Sequence, residues 1–207
     1  MKQYGLRGGI LGAALLGLGL GVAAEASAVG APPDPTALID DAFVEDVRAM
    51  LSEEIVIRSV EFQNALYGRM SGAEIASLDR TWRAEREARR QPLITRRLSS
   101  PLSIYLLRIQ AQSLGLFTEI FVTDANGLNV GQSAVTSDFW QGDEDKFQLT
   151  FDEGADAVFI DVAEWHEGSA TWRAQLNLTV KDPATNRPLG AATFEVNLTE
   201  LLRRGPQ

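Results

Sequence analysis

The most chemically loaded stretch of the sequence is the segment 136–144, which reads TSDFWQGDE. Its Asp138 carboxylate can accept hydrogen bonds from an ammonium or hydroxyl group, and the Trp140 ring can stack on a cation or an apolar group. The same pattern also fits a structural role, in which a Ser or Asp caps a short helix and Trp140 packs as a core lid. The two interpretations remain open on sequence alone.

A second candidate site is the polar face of a predicted strand over 171–180. Strict alternation places Arg173 and Gln175 on one face and apolar side chains on the other. Arg173 can receive a ligand carboxylate through a two-pronged contact. The alternative is a cross-strand pair between Arg173 and Glu195 on a solvated sheet face.

Two further polar side chains, Tyr105 and Arg108, lie on a predicted helix over 101–114. They reach the same cavity if that helix borders the sheet. Otherwise they pack as ordinary amphipathic side chains, whose apolar part contacts the protein surface while the polar end stays in water.

The inventory for catalysis and metal binding is poor, because the chain has no Cys and a single His. His166 lies near Ser169 in a predicted turn, a spacing that does not make an oriented nucleophile and base. The segment beginning at Asp124 starts like a calcium loop, but Val135 occupies the twelfth position, where a Glu is required. We therefore expect no enzymatic activity, no cofactor and no metal; hydrolase activity lost on changing His166 would revive the enzymatic alternative.

Composition restricts the class of protein. The chain has 207 residues, 19 Lys and Arg against 28 Asp and Glu, a formal charge of −9 and 45% hydrophobic residues. Such a length and apolar content predict one globular domain, and the acidic balance argues against a nucleic-acid partner. A run of arginines over 80–97 is the exception. It could form an anion or partner-docking patch, or a solvated helix face that complements the helix dipole.

The first 28 residues have the layout of a secretory signal peptide. Lys2 and Arg7 form a basic start, 10–24 is apolar, and 26–28 is an Ala-Ser-Ala cleavage site. The apolar stretch is shorter than the roughly 20 residues that span a bilayer, although an uncleaved anchor is the rival interpretation. We expect cleavage after residue 28, a periplasmic or secreted mature protein without membrane insertion, and a Pro-rich linker over 29–36.

Hydrophobic periodicity divides the remainder into a helical part, 37–114, and a sheet part, 116–198. It predicts three helices, over 37–68, 72–90 and 101–114, and Ser71 with Glu74 forms a capping box before the second. After residue 115 the period becomes 2. Five strands are predicted, over 117–124, 128–133, 157–163, 171–180 and 189–197, with a short helix over 143–151. Helices first and strands second, joined by short links, indicate an α+β fold with an antiparallel sheet.

Several strings in this order resemble the Cache or PDC group of extracytoplasmic sensor domains. They are TEIFVTDANGLNV over 118–130, the segment 136–144, the strand 171–180 and PLGAAT over 188–193. The resemblance implies a domain over 37–204 in which long N-terminal helices pack on a five-stranded antiparallel PAS-like sheet. It also implies a ligand pocket between that sheet and a cover over 135–152, lined by Trp140, Asp138, Arg173, Tyr105, Arg108 and Gln175.

Receptors of this family usually continue through a membrane helix into a signalling module, whereas the sequence stops at Gln207. We therefore expect a stand-alone sensor that binds a small carboxylate or amine and presents its ligand state to an envelope receptor. The alternative is a ligand-free interaction module. It would act as an accessory to a membrane receptor or as a homodimer, through the 37–68 helix or the arginine face.

Overall fold

The computed structural model describes residues 30–205, of which 32–205 belong to one compact unit. The predicted signal peptide over 1–28 lies outside the described residues. Part of the predicted linker is helical, because α1 spans Pro35–Leu38 and its first turn is capped by the Asp34 carboxylate. Among the described residues, no helix is both long and apolar enough to cross a membrane.

The prediction of one helix over 37–68 is wrong. The segment contains α1, then α2 at Asp41–Leu51 and α3 at Glu54–Tyr67. The Asp40 carboxylate accepts from the Phe43 amide at 2.9 Å and starts α2, while Glu53 takes an extended conformation and starts α3. The apolar stripe runs on through both breaks, so periodicity alone does not reveal them.

The next helices are α4 at Gly72–Arg86, α5 at Pro92–Leu98 and α6 at Pro101–Gln112. The capping box of Ser71 and Glu74 is present at the start of α4. This helix ends four residues before the predicted end at 90, and the sequence reading did not include α5. Helix α5 has no side-chain cap of its own; instead the Glu85 carboxylate of α4 accepts from the Leu93 and Ile94 amides at 2.7 and 3.0 Å.

All five predicted strands are present in an antiparallel sheet, and a sixth short strand joins them. The strands are β1 Phe117–Thr123, β2 Asn129–Gln132, β3 Val158–Ile160, β4 Glu164–His166, β5 Thr171–Lys181 and β6 Pro188–Asn197. Their order is β2-β1-β6-β5-β3, and β4 pairs with β5 next to β3. The α+β class is confirmed, with six strands in place of five. Helix α7, Asp145–Gln148, is shorter than the predicted 143–151, and α8, Leu198–Arg204, was not predicted.

The two faces of the sheet differ in chemistry. The apolar side chains of β5 and β6, such as Leu176 and Phe194, are fully buried against α2, α3 and α6 and form the main core. The opposite face carries polar side chains and lies under residues 133–157, a segment that includes α7 and is named the cover here. Lys146 of α7 reaches the Phe121 ring of β1 at 5.6 Å, which fixes the cover over the sheet.

Candidate functional site

A cavity of about 310 Å³ opens on the polar face of the sheet. Its floor is formed by Arg173 and Gln175 of β5 and Glu195 of β6. Glu144 and Lys146 of the cover border one side, and residues of the β3–β4 link and of β4 itself border the other. Alternation along β5 and β6 directs these polar side chains away from the core, so the strand pattern itself builds the floor.

Two buried polar atoms at the cavity have no hydrogen-bond partner within the described residues. They are the indole Nε1 of Trp165 and the amide Oε1 of Gln175. The Trp165 ring is held at 5.5 Å from Trp172 in an edge-to-face contact. Unpartnered buried polar groups cost free energy, and nearly all such groups in folded proteins are satisfied, so this donor and this acceptor are exceptions that the described chain does not complete.

Arg173 forms the cross-strand pair that the sequence offered as an alternative. Its Nη1 lies 2.8 Å from Glu195 Oε2, and its Nη2 donates to Ser169 Oγ at 3.0 Å. The Glu195 carboxylate also accepts from the Thr118 hydroxyl. Arg173 and Gln175 thus line the cavity, but the guanidinium is already engaged, so a ligand carboxylate would have to share it with Glu195.

Glu119 lies on β1 directly opposite Glu195 in the register of the two strands. No hydrogen bond or ion pair from the described part of the chain reaches its carboxylate. Burial, followed by the charge of Glu195, raises the pKa of Glu119 to about 6, against the opposing effects of Lys146 and Arg173. A proton is therefore held beside the cavity floor at mildly acidic pH.

His166 and Ser169, the base and nucleophile that a catalytic function would require, lie together at the mouth of the cavity. His166 Nδ1 lies 2.9 Å from Ser169 Oγ, and it also accepts from the Ser169 amide at 3.2 Å. Within residues 30–205 no carboxylate orients the imidazole, and both side chains are exposed in the turn between β4 and β5. The contacts fasten a turn and lack the third group that a nucleophile and base require.

Trp140 and Asp138 lie away from this cavity. The Trp140 indole donates to the Asn126 carbonyl at 2.9 Å, and its ring packs on a second apolar cluster that contains Trp82 and Phe139. Asp138 pairs with Arg83 at 2.9 Å and accepts from its neighbour, Ser137. The structural role considered for the two residues accounts for all of these contacts.

Part of the predicted arginine face takes part in a structural contact that we name the α4 latch, formed by Asp79, Trp82, Arg83 and Arg86 against cover residues 136–140. The Asp79 carboxylate accepts from the Phe139 and Trp140 amides at 2.9 and 3.2 Å and pairs with Arg83 at 2.7 Å. The Trp82 indole donates to the Thr136 carbonyl, and Arg86 to the Ser137 carbonyl, each at 3.0 Å. These arginines fasten the cover to α4.

Tyr105 and Arg108 lie on α6, on the helical side of the sheet. The Tyr105 hydroxyl donates to the Met50 carbonyl at 2.9 Å, and the ring packs on the main core. Arg108 is exposed on the same helix. The expectation that these two residues reach the ligand cavity is therefore not met, because the sheet itself lies between them and the polar face.

Trp165, Lys146 and Glu119 are among the residues in or beside the site that sequence reasoning missed. Trp165 was assigned to a turn, because a three-residue strand is too short to show alternation. Lys146 was read only as part of a short helix. Glu119 did leave a signal, since an acidic residue stands inside the apolar strand 117–124.

Comparison with known proteins finds matches only among solved structures. No family model matches the chain, and no curated protein matches it significantly. Solved structures that match include the ligand-binding domain of the Pseudomonas aeruginosa amino acid chemoreceptor PctC in complex with GABA. That likeness has 14% identity and a TM-score of 0.36, over 79% of this chain and 63% of the other.

Two further matches are of the same kind. The sensory domain of the Campylobacter jejuni chemoreceptor Tlp3 matches at 12% identity and a TM-score of 0.39, over 82% of this chain and 66% of that domain. The sensor domain of the Vibrio cholerae histidine kinase DctB matches at 14% identity and a TM-score of 0.36, over 78% of this chain and 58% of that domain. The chain thus spans less than two thirds of these structures. All three matches are ligand-binding or sensor domains.

Proposed function

We propose that the protein binds a small molecule in the cavity between β5, β6 and the edge of the cover. The observation that carries the proposal is the pair of buried, unpartnered atoms Trp165 Nε1 and Gln175 Oε1 on the cavity lining. A ligand with one acceptor and one donor at suitable separation would satisfy both. The volume of about 310 Å³ suits a small metabolite.

The charges around the cavity favour a ligand with an amine. Four carboxylates line it and two permanent cations oppose them, namely Glu144, Asp161, Glu164 and Glu195 against Lys146 and Arg173. Lys146 is paired with Glu144 at 2.9 Å, and Arg173 with Glu195. A ligand carboxylate would compete with existing partners, whereas an ammonium group would meet uncompensated acceptors.

We further propose that this binding takes place outside the cytoplasm and is passed to an envelope signalling partner. The signal-peptide pattern over 1–28 supports the location. The α4 latch supports transmission, because it ties the cover beside the cavity to a helix on the outside of the domain.

Thermal melting of the purified protein against a panel of small amines, carboxylates and zwitterions tests the binding. A true ligand at a hundredfold excess over its Kd adds about 2.7 kcal/mol, or roughly 5 to 10 °C for a domain of this size. Gln175→Leu should abolish the shift, and Arg108→Gln, on the far side of the sheet, should leave it unchanged. A panel in which no compound moves the wild-type melting temperature would overturn the proposal.

A second candidate function, a protein interaction module, rests on α3. Phe62 and Leu66 are one turn apart on this helix and are 70% and 65% exposed. Large apolar side chains side by side at a surface are typical of interaction sites. Sedimentation of wild type and Phe62→Ser tests it: a dimer that the substitution dissociates supports the module, and a monomer at every concentration removes the homodimer.

A further inference from the structure

Two neighbouring carboxylates, Glu195 on the cavity floor and Glu119 beside it, are short of positive charge. Glu119 and Glu195 are register partners on β1 and β6, and like charges directly opposite each other in a sheet repel. The Glu195 carboxylate pairs with the Arg173 guanidinium and accepts from the Thr118 hydroxyl. No hydrogen bond or ion pair within the described residues reaches the Glu119 carboxylate. One negative charge beside the floor is therefore left without a partner.

The charged groups around Glu119 do not supply the missing partner. Strand β6 brings Glu195, β5 brings Arg173, and α7 brings Lys146, whose ammonium is held by Glu144 at 2.9 Å. The edge beyond β5 adds further titratable groups to the cavity wall, which are Asp161, Glu164 and His166. Both nearby permanent cations are thus committed to other carboxylates.

We propose that Glu119 exchanges its proton for the cationic group of the ligand, so that the cavity binds ammonium compounds with release of a proton to solvent and binds them more tightly as the pH rises. The inference rests on the proposed function, because it assigns the charge sign and the pH dependence of ligand binding in the same cavity. The proton leaves the carboxyl group as the ammonium arrives. The charge within the cavity floor is therefore unchanged by the exchange.

The direction of the pH dependence follows from linkage. The pKa of Glu119 in the free protein is raised to about 6, and a docked cation lowers it toward its usual range. Below that pH a ligand must displace the proton, and above it the carboxylate is already free. The affinity for an ammonium compound should therefore rise about five- to tenfold between about pH 5 and pH 7.5.

The experiment uses 1,4-diaminobutane as the cationic probe and 1,4-butanediol as the neutral compound of the same length. Calorimetric titration of the whole protein should show that the diamine binds and the diol does not. The affinity for the diamine should rise about five- to tenfold between about pH 5 and pH 7.5. At about pH 6, titration in two buffers of different ionisation enthalpy should report about half a proton released per diamine bound. Glu119→Gln should remove both the rise and the proton release.

Two control variants separate Glu119 from the other titratable groups. Glu164→Gln and His166→Gln change the wall and the mouth and should retain most of the rise with pH. If these variants remove it while Glu119→Gln retains it, or if the diol binds as tightly as the diamine, the inference is overturned. If the diamine fails to bind while a carboxylate of the melting panel binds in a Gln175-dependent manner, the proposed function stands and the inference falls. If nothing binds, both fall.

Discussion

The α4 latch and the cavity are both polar regions that border the cover, the latch at residues 136–140 and the cavity at Glu144 and Lys146, and their polar groups are satisfied to different degrees. In the latch, Asp79 satisfies two backbone amides and a guanidinium, and the Trp82 indole has its own carbonyl. At the cavity, the Trp165 indole and the Gln175 carbonyl oxygen have no partner in the described chain. The latch completes its own hydrogen bonds and stabilises the fold, whereas the cavity leaves one donor and one acceptor open, as the proposed ligand site requires.

The largest change in the free energy of unfolding should come from a substitution in the latch. Asp79→Ala leaves the amides of Phe139 and Trp140 without an acceptor, and the Phe139 amide is buried, so we expect a loss of about 3 kcal/mol in the free energy of unfolding. Urea denaturation measures it. Asp138→Ala, which removes the outer partner of Arg83 and a contact with the exposed Ser137 hydroxyl, is the matched control and should cost less than about 1 kcal/mol. Equal losses would show that the latch is not held by Asp79.

A substitution beside the cavity, Glu119→Gln, should raise the free energy of unfolding, by less than Asp79→Ala lowers it. Because the pKa of Glu119 is raised from 4.5 to about 6, the folded state holds a proton that the unfolded state releases, and stability falls as the pH rises through this window. Glu119→Gln removes this loss. The variant should be more stable than wild type by about 1 to 2 kcal/mol at neutral pH, and the gain should vanish near pH 4.

Denaturation across the pH range decides the point. A variant less stable than wild type at neutral pH would mean that Glu119 makes a stabilising contact. The cavity would then resemble the latch, and the contrast between the two regions would be lost.

The smallest effect on stability should come from Trp165→Phe. The change keeps an aromatic ring against Trp172 and removes the unpartnered indole N–H, so stability should change by less than about 1 kcal/mol. Ligand affinity should nevertheless fall about tenfold, because one hydrogen bond to the ligand is lost. Melting with and without the ligand found by the panel separates the two quantities. A large loss of stability with unchanged affinity would place Trp165 in the structural class.

Much of the architecture could be predicted from the sequence because it rests on local patterns. The alternation over 171–180 identified the polar face that holds Arg173 and Gln175, and the change of period after residue 115 separated helices from strands. The breaks at Asp40 and Glu53 could not be predicted, since the apolar stripe continues through both. Helix α5 was missed because Pro92 was taken only as the end of α4, although proline is equally suited to the first turn of a new helix.

The site was less predictable, because its geometry depends on pairing between distant segments. The sequence suggested Trp140 and Asp138 by residue type, but their hydrogen bonds to Asn126 and Arg83 depend on tertiary contacts. The opposition of Glu119 and Glu195 depends on the register of β1 against β6, which includes a bulge near Phe117. A strand pattern shows which face a side chain occupies and does not show which residue lies across from it.

The contact of Glu85 with the first amides of α5 has a practical consequence for protein engineering. Since the acceptor of these amides lies in the preceding helix, the N-terminus of α5 is capped by a side chain of α4. A fragment, a circular permutant or a graft that cuts the chain between residues 85 and 93 would separate donor from acceptor. Biosensor designs that join a reporter to this domain should place their junctions outside that stretch.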